Sequence, residues 1–289
     1  MELAFTKMHG LGNDFIVIED LAEELDFSNE AVQWLCDRNF GVGADGLILV
    51  RPASSADADY YMHYINADGS LAEMCGNGVR CFAKYLVDRG LVGPERDRLV
   101  IETLGGLKPI TFTRDDDGAL AQATADMGAP GLTAEEIPTT LTGNPVLGRR
   151  LETEMGAVEV TCVSMGNPHC VIWVEDVDSA PVETLGPLVE CHPAFPNKTN
   201  VEFAELAEDG LILLRVWERG CGETLACGTG ACATAVAASL AGLVGRCVTI
   251  DLPGGELEIR WDEGGDVFMT GPAEEVFRGV VEIPEEHDR

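Results

Sequence analysis

The segment Ala72-Glu73-Met74-Cys75-Gly76-Asn77-Gly78 returns later in the chain as Thr224-Leu225-Ala226-Cys227-Gly228-Thr229-Gly230, with C-G-x-G repeated at an offset of 152 residues. At the same offset Leu91-Val92-Gly93 is matched by Leu243-Val244-Gly245. Working outward, Gly12-Asn13-Asp14-Phe15-Ile16-Val17-Ile18 pairs with Gly166-Asn167-Pro168-His169-Cys170-Val171-Ile172. Ile101-Glu102-Thr103-Leu104-Gly105-Gly106 pairs with Ile250-Asp251-Leu252-Pro253-Gly254-Gly255, and Asp126-Met127-Gly128 more loosely with Met269-Thr270-Gly271. Short glycine-rich matches arise by chance, but an ordered series of them is the signature of an internal duplication.

Each copy reads in the same way. The G-N landmark opens a strand, over residues 15–18 and 171–174. A helix follows C-G-x-G, over 79–88 and 231–241. Gly-Gly turns a hairpin between alternating β-formers, of which Leu257-Glu258-Ile259-Arg260-Trp261 has a clean period of two. The second helix carries no charge on any face, which predicts burial, and it is too short to span a bilayer. The first is mixed, with Arg80, Lys84, Asp88 and Arg89. The expected fold class is therefore α/β (α+β): two pseudo-symmetric duplicated halves, each a strand-rich sheet with one main helix, with symmetry-related positions facing each other across the cleft between them. The N-terminal half, carrying Cys75, is expected over 1–125, completed by 275–289. The C-terminal half, carrying Cys227, is expected over 126–274, with a linker near 128–136 and a loop over 144–150.

Composition narrows the chemistry. The chain has 289 residues, of which 50 are Asp or Glu and 19 Lys or Arg, for a formal charge of −31. No basic footprint for nucleic acid exists, and anionic phosphates or membrane surfaces are repelled. The deficit is spread along the chain, and runs such as Asp115-Asp116-Asp117 and Asp262-Glu263 read as exposed turns. Two explanations stand side by side: adaptation to a salt-rich cytosol, where screening removes self-repulsion, or an ordinary acidic enzyme. No apolar run reaches transmembrane length and the N-terminus lacks a signal-peptide pattern, so a cytoplasmic location is expected.

The ten cysteines (36, 75, 81, 162, 170, 191, 221, 227, 232 and 247) include no C-x-x-C, so zinc is poorly supported and no metal is expected. Most are read as small buried apolar residues. Cys75 and Cys227 differ, because each stands at a helix start among small residues. Unpaired N–H groups there bind carboxylates and are expected to favour thiolate. Two thiols facing one carbon from opposite sides can invert it: one removes the proton, the other returns one to the opposite face. Preorganised donors stabilise the carbanionic transition state, so no cofactor is needed. A redox or metal-binding protein is the rival from another class.

The longer motifs have a family likeness. Asn66-Ala67-Asp68-Gly69-Ser70-Leu71-Ala72-Glu73-Met74-Cys75-Gly76-Asn77-Gly78-Val79-Arg80-Cys81 resembles the first catalytic motif of the diaminopimelate epimerases. Trp217-Glu218-Arg219-Gly220-Cys221-Gly222-Glu223-Thr224-Leu225-Ala226-Cys227-Gly228-Thr229-Gly230-Ala231-Cys232 resembles the second. Lys7 to Phe15, Gly41-Val42-Gly43-Ala44-Asp45-Gly46, Ser164 to His169 and Asn200-Val201-Glu202-Phe203 are similar to further family segments, so the likeness runs from about Lys7 to Gly279. It implies two similar halves, each a mixed or antiparallel sheet wrapped around a central helix with the active site in the cleft between them, and a cofactor-independent epimerase that interconverts L,L- and meso-2,6-diaminopimelate for lysine or peptidoglycan synthesis, as a cytoplasmic homodimer. It implies Cys75 and Cys227 as the base and acid. Asn13, Asn66, Asn167, Asn200 and Arg219 would hold substrate, the backbone at Gly76-Asn77 and Gly228-Thr229 would cradle the reacting carboxylate, and His169 and Glu218 would orient the amine and tune the thiols. The nearest alternative is a racemase or epimerase of proline, hydroxyproline or histidine on the same scaffold.

Overall fold

The computed structural model describes residues 2–284. The chain divides into two compact units: the first runs over Met1–Ala125 and resumes at Gly271, and the second is Asp126–Thr270. The return crossing lies at Gly271 rather than at 275, because Pro272 already serves the first unit: its carbonyl accepts Arg80 Nε at 3.1 Å. Residues 285–289 of the expected C-terminal completion lie outside the described residues.

The first unit contains, in chain order, β1 (Glu2–Gly10), β2 (Asn13–Glu19), α1 (Asn29–Cys36), β3 (Gly46–Pro52), β4 (Tyr60–Asn66), α2 (Gly76–Asp88), β5 (Arg98–Thr103), β6 (Gly106–Arg114) and β7 (Leu120–Asp126). The second contains β8 (Arg149–Thr153), β9 (Gly156–Ser164), β10 (Pro168–Trp173), α3 (Val182–Glu190), β11 (Asn200–Leu206), β12 (Ile212–Glu218), β13 (Gly222–Thr224), α4 (Gly228–Leu240), β14 (Cys247–Leu252), β15 (Gly255–Trp261) and β16 (Val267–Gly271). β17 (Glu274–Glu282) then returns to pair antiparallel with β1.

The pairings repeat between the units. β2 and β3 are parallel, as are β10 and β11. β3–β4 and β11–β12 are antiparallel. β4–β5 and β12–β14 are parallel again, followed by the antiparallel β5–β6–β7 and β14–β15–β16. Each sheet wraps one helix. α2 packs on β1, β2, β3 and β17, and α4 on β9, β10, β11, β14 and β15. α4 is buried continuously from Gly230 to Ala238, as its charge-free sequence requires.

Both helices begin at the first glycine of C-G-x-G, three positions before the expected starts, so that each cysteine is the N-cap. Glycine is a poor helix interior residue but is tolerated in a first turn that side-chain bulk would crowd. In α2 the mixed sequence conceals a fully buried Arg80. Its guanidinium donates to Pro272 O, to Gly76 O at 3.2 Å and to Asn77 Oδ1 at 2.9 Å, which ties the first turn of α2 to the returning chain.

Candidate active site

In the first unit, Cys75 has extended backbone (φ −138°, ψ 123°) and caps α2: its Sγ accepts the Gly78 N–H at 3.4 Å. The thiol donates to Asn13 Oδ1 at 3.5 Å, and the same oxygen accepts Asn77 Nδ2 at 3.3 Å. Asn13 leads β2, and its Nδ2 donates to Asp45 Oδ2 at 2.7 Å. Asp45 is held by Arg38, which also pairs with Asp14, and Asp14 pairs with the buried Lys7. Lys7 further donates to Gly43 O. Asn13, Gly76, Asn77 and Cys75 therefore meet at one helix mouth. Asn66 stands at the end of β4, opposite Gly46, where its Nδ2 donates to Ser70 Oγ at 3.0 Å.

In the second unit, Cys227 has matching extended backbone (φ −121°, ψ 106°) and lies 3.5 Å from Thr229 Oγ1, which accepts Asn167 Nδ2 at 3.4 Å. Asn167 Oδ1 accepts His169 Nε2 at 3.0 Å, and His169 Nδ1 meets Glu202 Oε1 at 2.6 Å. Asn200 Nδ2 donates to Pro168 O at 2.8 Å while its Oδ1 accepts the Arg219 N–H at 2.9 Å. Glu218 Oε1 accepts Thr224 Oγ1 at 2.5 Å. The exposed Arg219 side chain donates from Nη1 to Asn197 O. Glu190 accepts the Trp217 indole N–H and the Gly220 N–H, which fixes the turn carrying Glu218 and Arg219.

A helix start supplies N–H groups with no partner inside the helix, together with partial positive charge. Gly76-Asn77 and Gly228-Thr229 offer this twice, beside a thiol each time. The expected thiolate-favouring environment does not prevail at Cys227. Burial first, then the charges of Glu218 and Glu202, push its thiol well above the ordinary value. The reason is one of scale: a helix terminus contributes roughly 0.3–1 kcal/mol at exposed positions, whereas full burial moves a titration by up to about 3–5 units.

Asp45 and Glu202, which bond the candidate site residues Asn13 and His169, are ones that the sequence reading did not single out. Both lie inside segments quoted for their family likeness, but only strand register shows what they touch. None of the ten cysteines, all among the described residues, is joined in a disulfide. Among the described residues, no cluster of three or more His, Cys, Asp or Glu is arranged to hold a metal ion, and no helix is long and apolar enough to cross a membrane.

The model of the diaminopimelate epimerase family matches residues 5–133 and 161–276. The chain belongs to the diaminopimelate epimerase family. A diaminopimelate epimerase of Pelotomaculum thermopropionicum is 53% identical over 278 residues, covering 95% of this chain and 97% of that protein. One from Methanococcus maripaludis is 46% identical over 282 residues, covering 97% and 100%. Among solved structures, a hydroxyproline epimerase from Agrobacterium vitis superposes with a TM-score of 0.72 at 15% identity, covering 99% of this chain and 94% of that one. A phenazine biosynthesis protein from Bacillus anthracis superposes with a TM-score of 0.70 at 18% identity, covering 98% and 100%. At that identity the two structures share the fold with this family member, and the sequence relatives carry the family assignment.

Proposed function

We propose that the protein interconverts L,L- and meso-2,6-diaminopimelate by passing the proton of one α-carbon between Cys75 and Cys227. The observation that carries this reading is the pair of cysteines capping the repeated helices, Cys75 with the Asn13 carboxamide on its thiol and Cys227 with the Thr229 hydroxyl, itself bonded to the Asn167 carboxamide. The proposal requires both half-sites to engage one substrate carbon. One sulfur, as thiolate, takes the α-proton. The other, as thiol, gives its proton to the opposite face, and the electron pair left on carbon forms the new C–H bond. The reverse reaction exchanges the roles.

The α-carboxylate is bound by the N–H groups at Gly76-Asn77 and Gly228-Thr229, which also stabilise charge spreading from the carbanion onto its oxygens. Glu218 faces the substrate ammonium, and the buried His169 acts on the Cys227 half-site through Asn167. The asparagines 13, 66, 167 and 200 complete the polar lining. Arg219, exposed and with guanidinium N–H groups beyond the one bonded to Asn197, forks onto the distal carboxylate. The upward push on the Cys227 thiol from burial, Glu218 and Glu202 supports a start in which Cys75 is the base.

The reading extends to a cytoplasmic homodimer. Val276, Phe277 and Val280 on β17 are 53%, 47% and 68% exposed, and a second copy of the chain would cover them. Sedimentation at micromolar concentration tests this point.

For the activity, the reduced enzyme is incubated with L,L-diaminopimelate in D₂O without pyridoxal phosphate. α-Deuteration with meso product is expected, with a loss of about 10²–10⁴-fold or more in Cys75→Ala and in Cys227→Ala, the range of general acid–base catalysis. Absence of exchange in low and high salt, with proline, hydroxyproline or histidine exchanged instead, would replace the substrate.

A further inference from the structure

The two half-sites correspond position by position, and one pair of positions differs in chemical kind. Phe15 pairs with Gly46 across β2 and β3, and His169 pairs with Asn200 across β10 and β11. Asn13 and Asn167 each stand two residues ahead of these. Phe15 and His169 are therefore equivalent. So are Ile48 and Glu202, each two residues further along its strand. The helices give the same match independently. A Cβ on Gly78 would meet Ile48 Cδ1 at 3.4 Å and Phe15 Cζ at 3.5 Å, while a Cβ on Gly230 would meet Glu202 Oε1 at 3.0 Å. The first turn of α2 rests on hydrocarbon, and that of α4 rests on a carboxyl.

Glu202 and His169 are both fully buried, and Glu202 Oε2 has no hydrogen-bond partner among the described residues. Burying a carboxyl with an unsatisfied oxygen is costly, and Ile48 shows that hydrocarbon fills the equivalent place. His169 Nε2 faces an acceptor, Asn167 Oδ1, so it carries a proton. One further proton lies between Nδ1 and Glu202 Oε1. We propose that Glu202 is a positioning residue of the epimerase: through Nδ1 it holds the His169 ring so that Nε2–H is delivered to Asn167 and the Cys227 half-site, an arrangement the Cys75 half-site lacks. A carboxyl behind an imidazole fixes ring orientation and tautomer in this way in other sites. The titratable groups around Glu202 are His169 and Cys170 on β10, Glu218 at the end of β12 and Cys227 at the mouth of α4. The inference rests on the reading that His169 and Cys227 take part in the reaction.

The test compares Glu202→Gln with Glu202→Ile, the residue of the equivalent position. Gln can still hydrogen-bond Nδ1 and Ile cannot. The expected order of kcat is wild type, then Gln, then Ile. The Ile variant should be down about 10- to 100-fold, as when an outer partner of a working imidazole is removed, with KM little changed. Alkylation of Cys227 by iodoacetamide should change rate in both variants while that of Cys75 does not. In the wild-type enzyme, ¹⁵N-histidine spectra, assigned through His169→Asn, should show a single ring tautomer protonated at Nε2, with a strongly downfield proton in the Nδ1–Glu202 hydrogen bond. An Ile variant as active as wild type, equal losses in Gln and Ile, or a His169 ring without a proton on Nε2 would each overturn the role. The spectra need no variant of Glu202 to fold and no substrate. Absence of diaminopimelate exchange by wild type would instead strike the proposed activity.

Discussion

Asp45 Oδ2 accepts the Asn13 amide N–H at 2.7 Å, which turns Asn13 Oδ1 toward the Cys75 thiol. The carboxylate thereby decides which end of an amide the thiol meets. In Asp45→Asn the new amide can donate to Asn13 Oδ1 and reverse it, presenting N–H to sulfur. The expected result is a drop in kcat of about 10-fold or more with the fold intact, since misplacement near the reacting atoms is costly out of proportion to its size. Steady-state kinetics with circular dichroism checks it, and unchanged kcat would remove Asp45 from the machinery.

The glycines at the third position after each cysteine should not respond alike. A Cβ at Gly78 meets neighbours at 3.4 Å, ordinary contact, whereas at Gly230 it meets Glu202 Oε1 at 3.0 Å and Cys227 Sγ at 3.3 Å. Gly78→Ala should keep stability, helped by the better helix propensity of alanine, and most of the activity. Gly230→Ala should shift Cys227 or Glu202 and lower kcat about 10- to 100-fold. Equal effects of the two substitutions on kcat would contradict this.

Much of the architecture was legible because the duplication was. The paired C-G-x-G, the G-N landmarks and the charge-free α4 locate the strands, helices and both thiols from residue identity alone. What escaped depends on distant partners. Arg80 belongs to a helix that reads as mixed, yet it is buried, because Pro272, far along the chain, supplies a carbonyl to its guanidinium. Glu202 stands beside Asn200 in a quoted motif, but its significance comes from lying over the first turn of α4. The thiol of Cys227 was expected to ionise easily, and its burial with two carboxyls reversed the direction.

Asp14 links stability to pH. Burial raises its pKa, but hydrogen bonds and charge from Arg38 and Lys7 outweigh that and bring it down to about 2. A depressed folded value means stability that is present above the unfolded value of about 3.9 and is lost as pH falls toward 2. The stability gap between wild type and Asp14→Asn should be full at pH 6, narrow below about pH 4 and close near pH 2. Urea titrations across that range check it, and a gap independent of pH would refute it.

Salt should matter to the whole molecule. With a formal charge of −31, self-repulsion opposes the compact state, and at 1 M salt the screening length falls to about 3 Å. The expected outcome is a melting temperature that climbs with KCl from 10 mM to 1 M. A flat response would dispose of adaptation to a salt-rich cytosol and leave an ordinary acidic enzyme.

The pairing of β1 with β17 joins residues 2–10 to residues 274–282. During synthesis the second unit is complete while the first still lacks its last strand. At about 5–20 residues per second the ribosome needs roughly 13–50 s to travel from one partner strand to the other. For that interval β1 is an open edge, exposed to any passing strand. The order of maturation is thus inverted relative to the order of translation: the half that emerges first is the last to close.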